Sequence, residues 1–162
     1  MPRAMRAARV REAAESEAVE AVNFGPLADW LGFNLRMAQN ATFAAFARLS
    51  KEIGEKPGRF ATLMLIGKNP GISQTALSRA NGRDKSSLTP VLTDLVRRKL
   101  VRRVRVPHDR RTYRLTLTAA GEKVLRELVE CAQRHEAKLD AVVGRDRAQF
   151  LHTLKKIAAE MG

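Results

Sequence analysis

Residues 101–118 read VRRVRVPHDRRTYRLTLT, six arginines set among valines, leucines and threonines around a Pro-His-Asp corner. Tyr113, Leu115 and Leu117 alternate with Thr112, Arg114 and Thr116, the period of two that marks a half-buried strand. The segment around Arg102–Val106 alternates less cleanly, and Pro107-His108-Asp109-Arg110 makes the corner between the two. The stretch predicts a β-hairpin whose apolar side chains anchor it while its arginines face a polyanion.

Working upstream, Asp84 is placed to cap a helix through DKSSLTPVLTDLVRRK, with Leu88, Val91, Leu92 and Leu95 on one buried stripe. Pro90 complicates it. A proline in a helix interior costs about 3 kcal/mol, and Thr89-Pro90 is itself a good start signal, so the helix begins at Asp84 with a bend or begins at Thr89. Ser73 caps a shorter helix, SQTALSRA, and Asn81-Gly82 turns the chain between the two. Ile72 reads as one short extended residue after the Asn69-Pro70-Gly71 stop. Pro57 opens a helix with Phe60, Leu63, Met64 and Ile66 inward, and a single long helix is expected from Leu27 to Ile53. Downstream, Thr118 caps a long helix that Val143-Gly144 breaks, and a last helix follows over 145–161. The order is four helices, a hairpin and two helices. A short helix, a tight turn, a Ser/Thr-rich helix and a hairpin define a winged helix-turn-helix, mainly α with a small β-hairpin wing.

The charge points the same way. The 162 residues carry a formal net charge of +13, and residues 54–121 alone account for +11 of it. A charge that only kept the chain soluble would have no reason to concentrate there; DNA, RNA or an anionic surface would attract it. The single cysteine, Cys131, rules out an intrachain disulfide and suggests a reducing, cytoplasmic setting. Apolar runs are too short to span a bilayer. No two histidines have metal-site spacing, and no phosphate loop, dinucleotide fingerprint or nucleophile elbow is present, so neither a metal, a cofactor nor an enzymatic role is expected.

A helix that enters the major groove needs small polar side chains on its exposed face. Lys85, Ser86, Ser87, Thr89 and Thr93 meet that demand, although Ser86, Ser87 and Thr89 also read as capping residues. At the hairpin tip, Arg110 and Arg111 suit the minor groove, with Asp109 bracing a guanidinium. Arg97, Arg98, Arg102, Arg103 and Arg105 would flank the groove on the phosphate backbone. Residues 1–26, Arg-rich and then Glu-rich, read as an arm, with 27–162 as a single domain.

The run Asp109-Arg110-Arg111-Thr112-Tyr113-Arg114-Leu115-Thr116-Leu117-Thr118-Ala119-Ala120-Gly121 is similar to the wing signature D-x-R-x-x-x-L-x-L-T-x-x-G of MarR-family transcriptional regulators. Asn69-Pro70-Gly71-Ile72-Ser73-Gln74 and Leu95-Val96-Arg97-Arg98-Lys99-Leu100-Val101 add to the resemblance, which covers 27–162. It implies a homodimer built from helices about 27–53 and 119–162, with the winged part at about 56–118. It also implies a repressor of a pseudo-palindromic operator, released by a small aromatic acid or an aromatic acyl-CoA. A proline like Pro90 occurs in such recognition helices, which favours the start at Asp84. Oxidant sensing through a first-helix cysteine is not implied, since that cysteine is absent. Trp30, Phe33, Arg36 and Asn40 offer an aromatic wall, a cation and an amide for the effector, against the plainer reading of helix packing. Arg3, Arg6, Arg9 and Arg11 of the arm would help hold an effector's phosphates. The competing function is a non-specific architectural or RNA-binding basic protein without an effector.

Overall fold

The computed structural model describes residues 22–106 and 109–161, without the side chains of 106–112. The chain divides into two compact units, residues 1–39 and 40–162.

In the first unit Pro26 starts a 3-10 turn, Gly25–Asp29, and Trp30 leaves it in an extended conformation. Helix α1, Leu31–Leu49, begins only there and contributes residues to both units. The single helix expected over 27–53 is therefore shorter at both ends. At its start, the Asn34 side-chain nitrogen donates to the carbonyls of Ala28 and Trp30, each at 2.9 Å, and the Asn34 backbone amide also donates to Trp30, so the side chain chiefly serves the Ala28 carbonyl that precedes the helix. At its end, the Ser50 hydroxyl donates to the Phe46 carbonyl at 3.0 Å, and Gly54 turns the chain at φ 71°.

The second unit holds the remaining elements. Helix α2, Pro57–Lys68, has its proline in the first turn, where the missing N–H costs no hydrogen bond. Gly71, at φ 83°, reverses the chain into strand β1, Ile72–Ser73. Ser73 then caps helix α3, Gln74–Ala80, accepting from the Ala76 amide. Helix α4, Lys85–Arg97, is capped by Asp84 and continues through Pro90, so it starts at Asp84 and not at Thr89. Ser86, whose carbonyl loses its partner to that proline, is exposed, so solvent can take the bond. Lys99 ends the helix in the left-handed region at φ 59°, and the Leu100 amide donates back to the Leu95 carbonyl at 2.9 Å.

Strands β2, Val101–Val106, and β3, Asp109–Leu117, form the hairpin, with a register shift between Arg105 and Val106. The expected two-stranded wing gains a third strand. β1 pairs antiparallel with β3, Ile72 opposite Leu115, giving the order β1-β3-β2. Helix α5, Ala119–Val143, follows the Thr118 cap; Gly144 breaks it, and α6 spans Arg147–Met161 after a 3-10 turn. Among the described residues no helix is long and apolar enough to cross a membrane.

The core lies where α2, α3, α4, β3 and α5 meet. Leu63, Ile66, Leu77, Leu88, Leu92, Leu95, Leu115 and Leu128 are wholly buried. Each contributes on the order of 1.5–3 kcal/mol by leaving water, so the Leu88-Leu92-Leu95 stripe fixes which face of α4 stays outside. Cys131 belongs to this core, its thiol donating to the Leu49 carbonyl at 3.2 Å. Helix α6 is different: none of its residues is buried, and Phe150, Leu151 and Met161 are exposed.

Candidate nucleic-acid interface

With Leu88, Leu92 and Leu95 turned inward, α4 leaves Lys85, Ser86, Ser87, Thr89 and Thr93 exposed together. Their hydroxyls are already partly engaged. Asp84 accepts from the Ser87 amide at 2.7 Å, from the Ser87 hydroxyl at 2.8 Å and from the Ser86 hydroxyl. The Ser86 bond, followed by those from Ser87, holds the Asp84 carboxyl well below the usual carboxylate range. The Thr89 hydroxyl donates to the Lys85 carbonyl at 2.7 Å and accepts from the Gln74 amide nitrogen at 2.9 Å. Gln74 was not among the residues singled out from the sequence; fifteen positions separate it from Thr89, so no periodicity connects them.

A depressed carboxyl has a definite linkage to pH. Stability from the Asp84 cap is fully present above the ordinary value of 3.8 and is lost as pH falls through the lower folded-state value. Carbon-detected NMR should find Asp84 still ionised at about pH 3, and Asp84→Asn should flatten the acid limb of the unfolding curve. A titration midpoint at the ordinary value would contradict the cap geometry.

The arginines divide. Arg102 and Arg105 are exposed on β2, and the Arg105 guanidinium lies over the Tyr113 ring, 5.8 Å from its centroid. Arg103 is half-buried, with Nε and one terminal nitrogen out of solvent and without a hydrogen-bond partner. Arg97 is exposed but bonds Asp94 at 2.6 Å. That bond, ahead of the charges of Arg59, Arg97 and Arg98, lowers the Asp94 carboxyl. Arg98 is committed to Glu55. The side chains of Asp109, Arg110 and Arg111 lie outside the described residues, as do Pro107, His108 and the arm arginines Arg3, Arg6, Arg9 and Arg11; the strand backbone does carry residues 109–111 on β3.

Two other features involve different residues. In the first unit the Arg36 guanidinium lies over the Phe33 ring at 5.2 Å, Phe33 meets Phe24 at 5.7 Å, and Trp30 is exposed. Asn40 is an exposed residue of the second unit. Within that second unit, a cavity of about 780 Å³ opens between α2, the end of β3 and α5. Met64, Leu117 and Val129 give it apolar walls, Lys68 and Arg126 give it cations, and the unpartnered Thr116 hydroxyl also lines it. None of these cavity residues was among those singled out for an effector, because α2 lies far in sequence from β3 and α5, which follow one another.

A helix-turn-helix with a three-stranded wing, an exposed hydroxyl-bearing helix and a basic hairpin defines a winged-helix DNA-binding regulator. Comparison with known proteins gives the family. The MarR family model matches residues 54–112. A proposed transcriptional regulatory protein for the hcr operon of Thauera aromatica is 35% identical over 146 residues, 89% of this chain and 87% of that protein. The transcriptional repressor CouR bound to a 23-mer DNA duplex superposes with a TM-score of 0.77 at 34% identity, covering 85% of this chain and 98% of CouR. CouR bound to p-coumaroyl-CoA superposes at 0.75 with 30% identity, over 85% and 97%. The chain belongs to the MarR family of transcriptional regulators. The members it resembles are regulators, not enzymes.

Proposed function

We propose that the chain is a homodimeric repressor that binds a pseudo-palindromic operator and releases it when an aromatic acid or an aromatic acyl-CoA occupies the cavity between α2, β3 and α5. The observation that carries this reading is the similarity to CouR, over nearly all of that protein, in both a DNA-bound and a p-coumaroyl-CoA-bound form. In this reading Lys85, Ser86, Ser87, Thr89 and Thr93 face base edges, and Asp109, Arg110 and Arg111 bring the wing to the minor groove. Arg97, Arg102, Arg103 and Arg105 supply phosphate contacts. Residues about 56–118 form the DNA-contacting part, about 27–53 and 119–162 the dimer interface, and 1–26 an arm.

Physical features support the dimer and the effector cavity. The uncovered apolar residues of α6 need a covering surface, and a second copy would provide one. The cavity's apolar walls suit an aromatic body, and Lys68 or Arg126, which line it together with Glu122 and Glu130, would meet an anionic end. Trp30, just before α1, and Phe33, Arg36 and Asn40 on α1 are proposed separately as effector-contacting residues.

The test is selection of duplexes from a random pool by the full-length chain. Recovery of a dyad-symmetric site, with half-sites about 34–36 Å apart, is expected. Arg111→Ala should weaken binding most where A·T pairs flank the site, and p-coumaroyl-CoA or simple aromatic acids should release it. Equal affinity for unrelated duplexes would overturn the reading in favour of an architectural protein.

A further inference from the structure

The hydroxyls of α4 are the side chains best placed to read bases, and the geometry decides what each still has to offer. A hydroxyl has one proton and two lone pairs. The Lys85 carbonyl can only accept, so the 2.7 Å contact from Thr89 takes the Thr89 proton. The group meeting Thr89 from Gln74 must then be the amide nitrogen, which donates at 2.9 Å and takes a lone pair. Two of three hydrogen-bonding positions on Thr89 are thus occupied from inside the protein. Thr89 is nevertheless exposed. What an exposed threonine with an engaged oxygen presents is its methyl group.

We infer that Thr89 reads the C5 methyl of a thymine in each half-site, and that Gln74 is the positioning residue that turns the threonine to that use. The inference rests on the proposed operator-binding function and specifies its base preference. Ser86 and Ser87 follow the same logic with a different outcome. Both protons go to Asp84, so each of these exposed serines keeps acceptor capacity only. Adenine N6 and cytosine N4 are the amino donors of the major groove, whereas guanine presents only acceptors there. The first turns of α4 therefore favour thymine beside adenine or cytosine, and Lys85 is their one cationic donor.

The experiment uses the full-length chain and the half-site recovered by selection. Each thymine is replaced in turn by deoxyuridine, which removes the methyl and leaves base pairing intact. One replacement per half-site should weaken the wild-type chain about fourfold, the worth of one buried methyl. Thr89→Ser keeps the hydroxyl and loses the methyl, so its affinity should no longer distinguish thymine from deoxyuridine at that position. Thr89→Val should still distinguish them. Gln74→Ala frees a lone pair on Thr89, and should raise the tolerance for adenine or cytosine there, a change of preference that a mere loss of stability would not produce. If a specific site is recovered and every deoxyuridine is neutral, or Thr89→Ser remains as sensitive as wild type, the inference fails while the regulator reading stands. A chain that selects no common sequence overturns both.

Discussion

Gly121→Ala should be the most damaging single-methyl change in the second unit. A Cβ built there would sit 2.0 Å from the Leu100 carbonyl oxygen and 2.9 Å from its carbon. Backbone must then move, and this backbone is held from several sides. The same oxygen accepts from the Thr118 amide at 3.0 Å, and the Leu100 amide is tied to Leu95. Thr118 also donates to the Lys99 carbonyl and caps α5 through the Gly121 amide. Alanine would gain about 1 kcal/mol of helix propensity over glycine. Against that, overpacking against a fixed carbonyl costs about 3 kcal/mol or more, so the clash wins. For a chain of this size each kcal/mol moves Tm by about 2–4 °C, and calorimetry should show a net fall of several degrees. Gly67→Ala is the comparison: its Cβ would meet Leu125 and Leu117 at 2.8 and 3.0 Å, but those are side-chain tips that can rotate away. If Gly121→Ala melts no lower than Gly67→Ala, the close approach of α5 to the start of β2 is not what requires the glycine.

That approach gives a physical meaning to a pattern first seen as a string of letters. In L-x-L-T-x-x-G, Leu115 and Leu117 are the inward residues of β3, Thr118 joins the helix cap to the end of α4, and Gly121 admits the Leu100 carbonyl. The hairpin, the capped helices and the Leu88-Leu92-Leu95 stripe were legible because local periodicity and capping chemistry determine them. Strand β1 was not. Two residues have no period, and Ile72 becomes a strand only because Leu115 arrives opposite it from 43 positions away. The break before α1 was also hidden, since it depends on the Asn34 side chain folding back on two carbonyls. The candidate base-reading residues could be chosen from α4 alone, but the partner that orients Thr89 could not. Glu55 and Asp94 showed no pattern along the chain either, beyond the i+3 and i+4 spacing of Asp94 with Arg97 and Arg98.

Those two acids carry the second large effect, and Glu55→Ala should both destabilise the chain and weaken its hold on DNA. The Glu55 side chain is fully buried, meeting Arg59 at 3.3 Å and Arg98 more closely. Asp94 completes the group with Arg59 at 2.7 Å and Arg97 at 2.6 Å. The network joins Glu55, two residues before α2, to the last turn of α4, the helix proposed to read bases. Removing one partner of a buried pair costs about 3–5 kcal/mol. Arg98 and Arg59 keep 30% and 19% of their side-chain surface in solvent, so part of their charge is rehydrated and about 2–3 kcal/mol is the expected loss. Urea unfolding should show this as a lower midpoint at unchanged slope. Much of the cost comes from the stranded arginine rather than from the pair's own worth. Glu55→Leu combined with Arg98→Met should therefore recover a large part of it, with a coupling of about 1 kcal/mol or more in the double-mutant cycle. The repaired core need not repair function. An apolar pair packs without direction, whereas the carboxylate fixes where the end of α4 stands. The double variant should thus regain stability while still binding the selected duplex more weakly than wild type. A Glu55→Ala chain within about 0.5 kcal/mol of wild type, the range of ordinary surface changes, would show that these ion pairs do not hold α4 in place.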